Sequence, residues 1–112
     1  MQKRMDTRQL EEFLVLAQEL NYSAAAKRLF ITRPTLVEHI RSLEAELECK
    51  LVESDGKHIA LASGGKRFVI TAESLLKTWR ETKDEYSSLS ENLLTVKIAT
   101  TNLPWLETLI YK

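Results

Sequence analysis

The sequence lacks the features that several classes of protein require. Its single cysteine, Cys49, forms no intrachain disulfide and favours a reducing compartment. No apolar stretch approaches the roughly 20 residues that span a bilayer, and no signal-peptide pattern follows the basic start MQKRMDTRQ. Neither a Cys/His constellation nor a glycine-rich phosphate loop after a strand is visible. We therefore expect a cytoplasmic protein that is not an enzyme, uses no metal or cofactor and has no membrane partner.

The sequence also has no net charge. The 112 residues carry 16 Lys/Arg and 16 Asp/Glu, and residues 1–67 carry eleven against ten. Because nucleic-acid binding depends on many cationic contacts with phosphates, this balance argues only weakly for DNA. The length corresponds to one small domain, or to one domain with an appendage, and an apolar share of 44% is enough for a core.

Three short helices are predicted in residues 6–47. Asp6 and Gln9 form a capping-box pattern before the first, whose apolar positions are Leu10, Phe13, Leu14, Ala17 and Leu20. Asn21 and Ser23 are cap residues for the second, which turns Ala25, Ala26 and Leu29 inward. The chain then breaks at Phe30-Ile31. A tight break sets two helices at a steep angle, so that the next one projects from the surface.

Thr32 is the predicted cap of that third helix, with Arg33 and Pro34 in its first turn. An apolar line follows at Leu36, Ile40, Leu43 and Leu47, and the opposite side carries Pro34, Glu38, Arg41 and Ala45. The segment KLVESDGKHIALA then predicts a hairpin around a Ser-Asp-Gly turn. Three helices and a two-stranded hairpin form a winged helix-turn-helix, so we expect a mainly α fold.

A long helix is predicted after Gly64-Gly65. Apolar residues recur in alternating steps of four and three, at Phe68, Ala72, Leu75, Trp79, Thr82, Tyr86, Leu89 and Leu93. Either this helix folds back on its own domain or it pairs with a second chain; its length favours a partner. The expected dimerisation residues are Phe68, Ala72, Leu75, Leu76, Trp79, Tyr86 and Leu89. Beyond it, TVKIATT alternates like a strand, and an amphipathic helix is expected after Pro104.

These motifs together resemble the N-terminal half of LysR-type transcriptional regulators. The resemblance is carried by AA-x-x-L at Ala25, then T-x-P at Thr32 and I-x-x-LE-x-x-L at Ile40, and it covers about 60 residues closely. It implies three regions: a winged helix-turn-helix at residues 1–63, a dimerising linker helix at 64–93, and the start of a larger effector domain at 94–112. It also implies a bacterial DNA-binding regulator of transcription, which acts as a homodimer, often paired into a tetramer, on promoter DNA.

The DNA-binding residues follow from the predicted helices and the wing. The third helix contributes Arg33, Pro34, Thr35, Val37, Glu38 and Arg41; Asn21, Ser23 and Thr32 are caps that can also touch phosphates; Lys57 and His58 lie on the wing. Each has a plainer interpretation, as a solvated helix face, a cap or a polar turn. For His39 and Cys49, ordinary packing or surface positions are favoured over ligand roles, with burial expected for Cys49.

The chain departs from the family pattern at several positions. Thr32-Arg33 replaces a serine-glutamine pair, and Val37-Glu38 stands where many relatives have a serine and a basic residue. Ala24, Glu48 and Ser54 also replace an arginine, a glycine and a basic residue. These changes predict weaker or more salt-sensitive DNA binding. An alternative function is therefore an interaction module that heterodimerises with full-length regulators through the linker helix and binds DNA weakly. No small-molecule effector is expected for these 112 residues.

Overall fold

A computed structural model describes residues 4–56 and 58–99, with residues 91–99 described by their backbone alone. The elements, in chain order, are α1 (Thr7–Glu19), α2 (Tyr22–Leu29), α3 (Arg33–Leu47), β1 (Val52–Ser54), β2 (Ile59–Leu61) and α4 (Ser63–Ala99). The predicted mainly helical winged helix-turn-helix is confirmed. Within the described residues, no helix is both long and apolar enough to cross a membrane.

The first three helices begin at side-chain caps. The Asp6 carboxylate accepts a hydrogen bond from Gln9 N at 2.9 Å, and the Gln9 side chain accepts one from Asp6 N, which completes the predicted capping box. Asn21 caps α2 through Ala24 N at 2.8 Å. Thr32 caps α3 through Thr35 N. Each oxygen satisfies a backbone donor that has no partner inside its helix.

The same helices end at residues in the left-handed conformation, and none of these residues is a glycine. Leu20, Phe30 and Glu48 have φ angles of 52°, 57° and 52°. At the end of α2, Phe30 N donates to Lys27 O and Ile31 N donates to Ala26 O at 3.1 Å, a Schellman pattern that stops the helix within one residue. This turn is the predicted break between α2 and α3.

The wing is a two-stranded antiparallel hairpin. Val52 pairs with Leu61 and Ser54 pairs with Ile59. At its turn, Asp55 Oδ1 accepts a hydrogen bond from the backbone N of His58 at 2.9 Å, and Ser54 Oγ accepts one from Gly56 N. Gly56 has a φ of 102°, where a side chain would be strained.

The core lies where α1, α2 and α3 meet the base of the wing and the beginning of α4. Its buried residues include Leu10, Phe13, Leu16, Ala25, Ala26, Leu36, Ile40, Leu43, Leu51, Val52, Ala72 and Leu76. Two residues predicted for this core lie outside it, because they are at or beside helix ends. Leu20 is 43% exposed and Leu47 is 37% exposed.

The chain divides into two compact units at Lys77–Thr78. In the first, Gly65 at the start of α4 is pressed against Leu51, and a Cβ on Gly65 would overlap the Leu51 carbonyl oxygen. The Phe68 ring packs on Phe13 with centroids 5.4 Å apart. Both glycines therefore belong to α4, and the missing side chain of Gly65 lets the start of the helix approach Leu51 closely. The sequence indicated only that the glycines separate the hairpin from the helix.

This packing corrects part of the predicted dimerisation face. Ala72 and Leu76 are buried in the core of their own chain, and Phe68 is packed against that core. Their heptad spacing comes from the part of α4 that packs on its own domain. For the whole helix, the sequence left this arrangement open as the alternative to pairing with a second chain.

The long helix also continues beyond its predicted end at residue 93. Residues 95–99, expected in a strand, are helical up to Ala99. The rest of that expected strand and the helix after Pro104 lie outside the described residues.

One polar feature of the first unit differs from expectation, and a second was not predicted. Cys49, expected to be buried, is exposed at the end of α3. Glu12 of α1 is buried, and its Oε1 lies 2.8 Å from His39 Nδ1 of α3. The imidazole can donate to the carboxylate at this distance, so His39 links α3 to α1.

Candidate nucleic-acid interface

A groove of about 720 Å³ opens between the start of α2, one side of α3 and the wing. The groove is lined by Leu20, Asn21, Tyr22, Ser23, Arg33, Val37, Arg41, Glu44, Lys50, Val52, Ser54, Gly56, His58 and Ile59. The side chains of α3 that face it follow helical spacing, so that Arg33, Val37, Arg41 and Glu44 share one face.

The groove is cationic although the chain as a whole is neutral. Arg33, Arg41 and Lys50 line it, and Glu44 is the only carboxylate among the described residues that line it. Arg33, Arg41 and Lys50 are exposed. Since guanidinium and ammonium groups bind phosphate oxygens, and guanidinium can also bind guanine, this surface has the chemistry of a nucleic-acid interface.

The single lining carboxylate is already engaged. Glu44 Oε2 accepts hydrogen bonds from Leu51 N at 2.8 Å and from Val52 N at 3.2 Å. Bonds to a charged acceptor are stronger than neutral ones, so Glu44 holds the base of the wing against α3. Glu44 keeps its negative charge, but its carboxylate is directed to the wing amides, and Arg33, Arg41 and Lys50 outnumber it in the groove.

Tyr22 occupies the wall of the groove beside Arg33. The Cζ atom of Arg33 lies 5.9 Å from the centroid of the Tyr22 ring, within the range of a cation–π interaction. Burial raises the pKa of the Tyr22 hydroxyl above 10.0, and the negative charge of Glu44 raises it further, while Arg41 and Arg33 lower it. Tyr22 therefore stays protonated at neutral pH.

The predicted DNA-binding residues fall into two groups. Asn21, Ser23, Arg33, Val37, Arg41 and His58 line the groove. Thr32, Pro34 and Glu38 are exposed and Thr35 is half-buried, on the first turns of α3 beside it. Lys57 lies outside the described residues.

Sequence reasoning did not assign several groove residues to the site. Glu44 belongs to the family pattern, but neither it nor Tyr22 nor Lys50 was predicted to bind DNA. The wing residues Ser54 and Gly56 also line the groove. Spacing along α3 could have identified Glu44, which lies three residues after Arg41 and so shares its face.

Each of the two units has exposed apolar side chains on its part of α4. In the first unit, Ile70 is 71% exposed and Leu75 is 44% exposed. In the second unit, Trp79 and Tyr86 are 45% and 59% exposed, and Leu89 is half-buried. In the second unit, Trp79 and Tyr86 are seven residues apart and so share one side of α4, and large exposed apolar residues on one side are typical of an interaction face.

Comparison with known proteins identifies the family. The sequence model for the bacterial regulatory helix-turn-helix protein, lysR family, matches residues 7–66. The chain is 33% identical over 107 residues to the HTH-type transcriptional regulator CitR of Bacillus subtilis, an alignment that covers 89% of this chain and 37% of CitR. The chain thus spans well under half the length of this curated relative.

Solved structures with this fold include complexes with DNA. Vibrio fischeri DarR in complex with DNA superposes with a TM-score of 0.75 and 36% identity, covering 80% of this chain and 30% of that chain. The CbnR_DBD–DNA complex gives a TM-score of 0.73 and 31% identity, covering 77% of this chain and 99% of that chain. On the evidence of the fold, the cationic groove and the matched residues, the chain belongs to the lysR family of bacterial regulatory helix-turn-helix proteins, which are DNA-binding regulators of transcription.

Proposed function

We propose that this chain binds promoter DNA as a dimer and inserts α3 into the major groove. The observation that carries the proposal is the cationic groove, in which Arg33 and Arg41 project from one face of α3 beside the wing. An α-helix fits the major groove, where an arginine can bind guanine O6 and N7 with two hydrogen bonds. The DNA complexes of DarR and CbnR_DBD, which share this fold, support the same partner.

The remaining side chains have roles in this arrangement. Asn21, Ser23 and Thr32 lie at the starts of α2 and α3, where free backbone N–H groups and hydroxyls bind phosphate. Thr35, Val37 and Glu38 face base edges, and Glu38 can accept from a cytosine amino group. Lys50 and His58 contact the backbone beside the wing.

Dimerisation is proposed through the exposed apolar residues of α4. Leu75, Trp79, Tyr86 and Leu89 remain candidates because their side chains are not buried in the described part of their own chain. Two copies would present two α3 helices to successive half-sites of a partly palindromic operator, and two dimers can combine into a tetramer.

DNA binding is tested by fluorescence-anisotropy titration of promoter duplexes and a random-sequence competitor at several salt concentrations. Sequence-specific binding is expected, with Arg41→Ala weakening it and reducing the salt slope by about one if it contacts phosphate. Arg8→Ala is the matched control, since Arg8 lies on α1 away from the groove lining and is 71% exposed. Equal affinity for promoter and competitor duplexes at low salt would contradict the proposal.

A second candidate function is heterodimerisation with full-length regulators without useful DNA affinity. It is favoured by Glu38, an exposed carboxylate on the outward side of α3 that phosphates would repel, together with the exposed Trp79 of α4. Capture of a labelled full-length lysR-family protein by a chain that binds no duplex itself would support this candidate. Specific binding of DNA by the chain alone would exclude it.

The place of this chain in a whole regulator is also a proposal. CitR is a longer protein, of which the chain covers 37%, so a sensing domain would lie in the part that the chain does not cover. We expect no small-molecule effector to bind the 112 residues themselves. Promoter DNA lies in the bacterial cytoplasm, which is therefore the proposed location.

A further inference from the structure

Tyr22 is the aromatic residue of the groove, and its position differs from that of the charged lining residues. Its ring packs against the hydrophobic core, whereas Arg33 beside it is exposed. The ring is thus held by the fold, and the guanidinium 5.9 Å from its centroid belongs to an exposed side chain that does not pack on the core. A fixed aromatic face next to a flexible cation can select one orientation of that cation.

The orientation of Arg33 matters because two-pronged recognition of guanine is geometrically demanding. An arginine side chain has many rotamers in water, and restricting them on binding opposes affinity. A guanidinium already held near the required position loses less freedom when it meets O6 and N7. Arg33 is the first residue of α3, directly after the cap Thr32, so its backbone is also fixed.

We propose that Tyr22 is a positioning residue that holds the Arg33 guanidinium for bidentate recognition of a guanine in each half-site. The inference rests on the proposed function, since it requires α3 to lie in the major groove. Tyr22 would act through Arg33 and determine the strength of the guanine preference. The hydroxyl is dispensable for this role, because the attraction comes from the face of the ring.

The charged surroundings agree with this role. Glu44, Arg41 and Arg33 are the charged groups that act on the Tyr22 hydroxyl, and Glu44 is held by the wing amides Leu51 N and Val52 N. Burial keeps the hydroxyl protonated by raising its pKa. The ring therefore faces Arg33 as a neutral π surface across the physiological pH range.

The test compares Tyr22→Leu with Tyr22→Phe on duplexes that contain guanine or 7-deazaguanine, which lacks the N7 acceptor. The unaltered protein is expected to bind 7-deazaguanine at least about fivefold more weakly at the contacted position. Tyr22→Phe keeps the ring and should retain this ratio. Tyr22→Leu should lower affinity for the guanine duplex by about two- to fivefold and reduce the ratio, because the loss of a cation–π contact at an exposed site is of that size.

Arg33→Ala distinguishes guanine recognition by Arg33 from the positioning role of Tyr22. If the unaltered protein binds specifically but Arg33→Ala leaves the guanine ratio unchanged, then Arg33 does not recognise guanine and the role of Tyr22 is overturned with it. The absence of a guanine ratio in the unaltered protein would instead count against the proposed insertion of α3 into the major groove. If Arg33→Ala removes the ratio while Tyr22→Leu retains it in full, α3 binds as proposed and only the role of Tyr22 is overturned.

A measurement on the free protein gives an answer even if Tyr22→Leu does not fold. In NMR spectra, the side-chain protons of Arg33 should be shifted upfield by the Tyr22 ring current in the unaltered protein and in Tyr22→Phe. Shifts at random-coil values in the unaltered protein would overturn the proposal, because the guanidinium would then not be held over the ring.

Discussion

Removing the Glu44 carboxylate should detach the wing from α3 at a substantial cost in stability. Glu44 Oε2 accepts from two backbone amides, Leu51 N at 2.8 Å and Val52 N at 3.2 Å, and both residues are buried. A hydrogen bond to a charged group contributes about 1.5–3 kcal/mol, and a buried amide without a partner costs about as much. Glu44 is itself half-buried, so water can replace part of the interaction. We expect Glu44→Ala to reduce the free energy of unfolding by about 2–4 kcal/mol.

Urea unfolding measures this loss, and hydrogen exchange locates it. Glu44→Gln keeps an acceptor oxygen without the charge and should reduce the loss to about half. Glu53→Ala is the matched control, since Glu53 is an exposed glutamate of the wing whose removal should change stability by less than about 0.5 kcal/mol. The amides of Leu51 and Val52 should lose exchange protection in Glu44→Ala while the middle of α1 retains it. Equal stability of Glu44→Ala and Glu53→Ala would refute the assigned role.

Three further predictions concern the end of α3, the face of α4 and Tyr22. Glu48→Gly should stabilise the domain by about 0.5–1 kcal/mol in urea unfolding, because Glu48 has a φ of 52°, a left-handed conformation that glycine adopts more readily. Ala45→Gly within α3 should destabilise the domain, and destabilisation by both substitutions would contradict this prediction. Trp79→Glu should weaken dimerisation about thirtyfold or more in analytical ultracentrifugation, while Ser88→Glu, nine residues on and on the opposite side of α4, should leave it unchanged. Similar effects of the two would remove Trp79 from the interface. Because the pKa of Tyr22 is raised in the folded state, its contribution to stability is present below pH 10.0 and is lost as the pH rises further. Tyr22→Phe should make stability fall less steeply above that pH, and an unchanged slope would contradict the shift.

The helix-turn-helix could be predicted from sequence because its signals are local. Asp6, Asn21 and Thr32 each cap a helix through a backbone amide three residues on, and such patterns depend on spacing alone. Exposure at helix ends could not be predicted in the same way. Helical periodicity assigns a residue to a face, but whether Leu20 or Leu47 is covered depends on where the neighbouring element ends.

The long helix shows the same limit more clearly. One apolar series runs through Ala72 and Trp79 at regular spacing, yet Ala72 is buried in its own unit and Trp79 is 45% exposed. Spacing cannot distinguish a face that packs on its own domain from one that is left open. The close approach of Gly65 to Leu51, which brings the start of α4 onto the core, is a tertiary contact between distant parts of the chain.

The site was predictable in its position and less so in its chemistry. Arg33 and Arg41 follow from the outward face of α3, and they do line the groove. The overall neutral charge concealed the local excess of cations, because the groove brings Arg33, Arg41 and Lys50 together around one carboxylate, Glu44. Composition counts charges over the whole chain, so it does not reveal which of them the fold brings to one surface.

Methylation interference on a bound promoter duplex tests the insertion of α3 into the major groove most directly. Methylation of guanine N7 blocks the major groove, and methylation of adenine N3 blocks the minor groove. We expect N7 methylation of one or more guanines in each half-site to prevent binding, and Arg33→Ala to make binding insensitive to at least one of them. Interference confined to adenine N3 would contradict the insertion of α3 into the major groove, and the same guanine pattern for Arg33→Ala would contradict base recognition by Arg33.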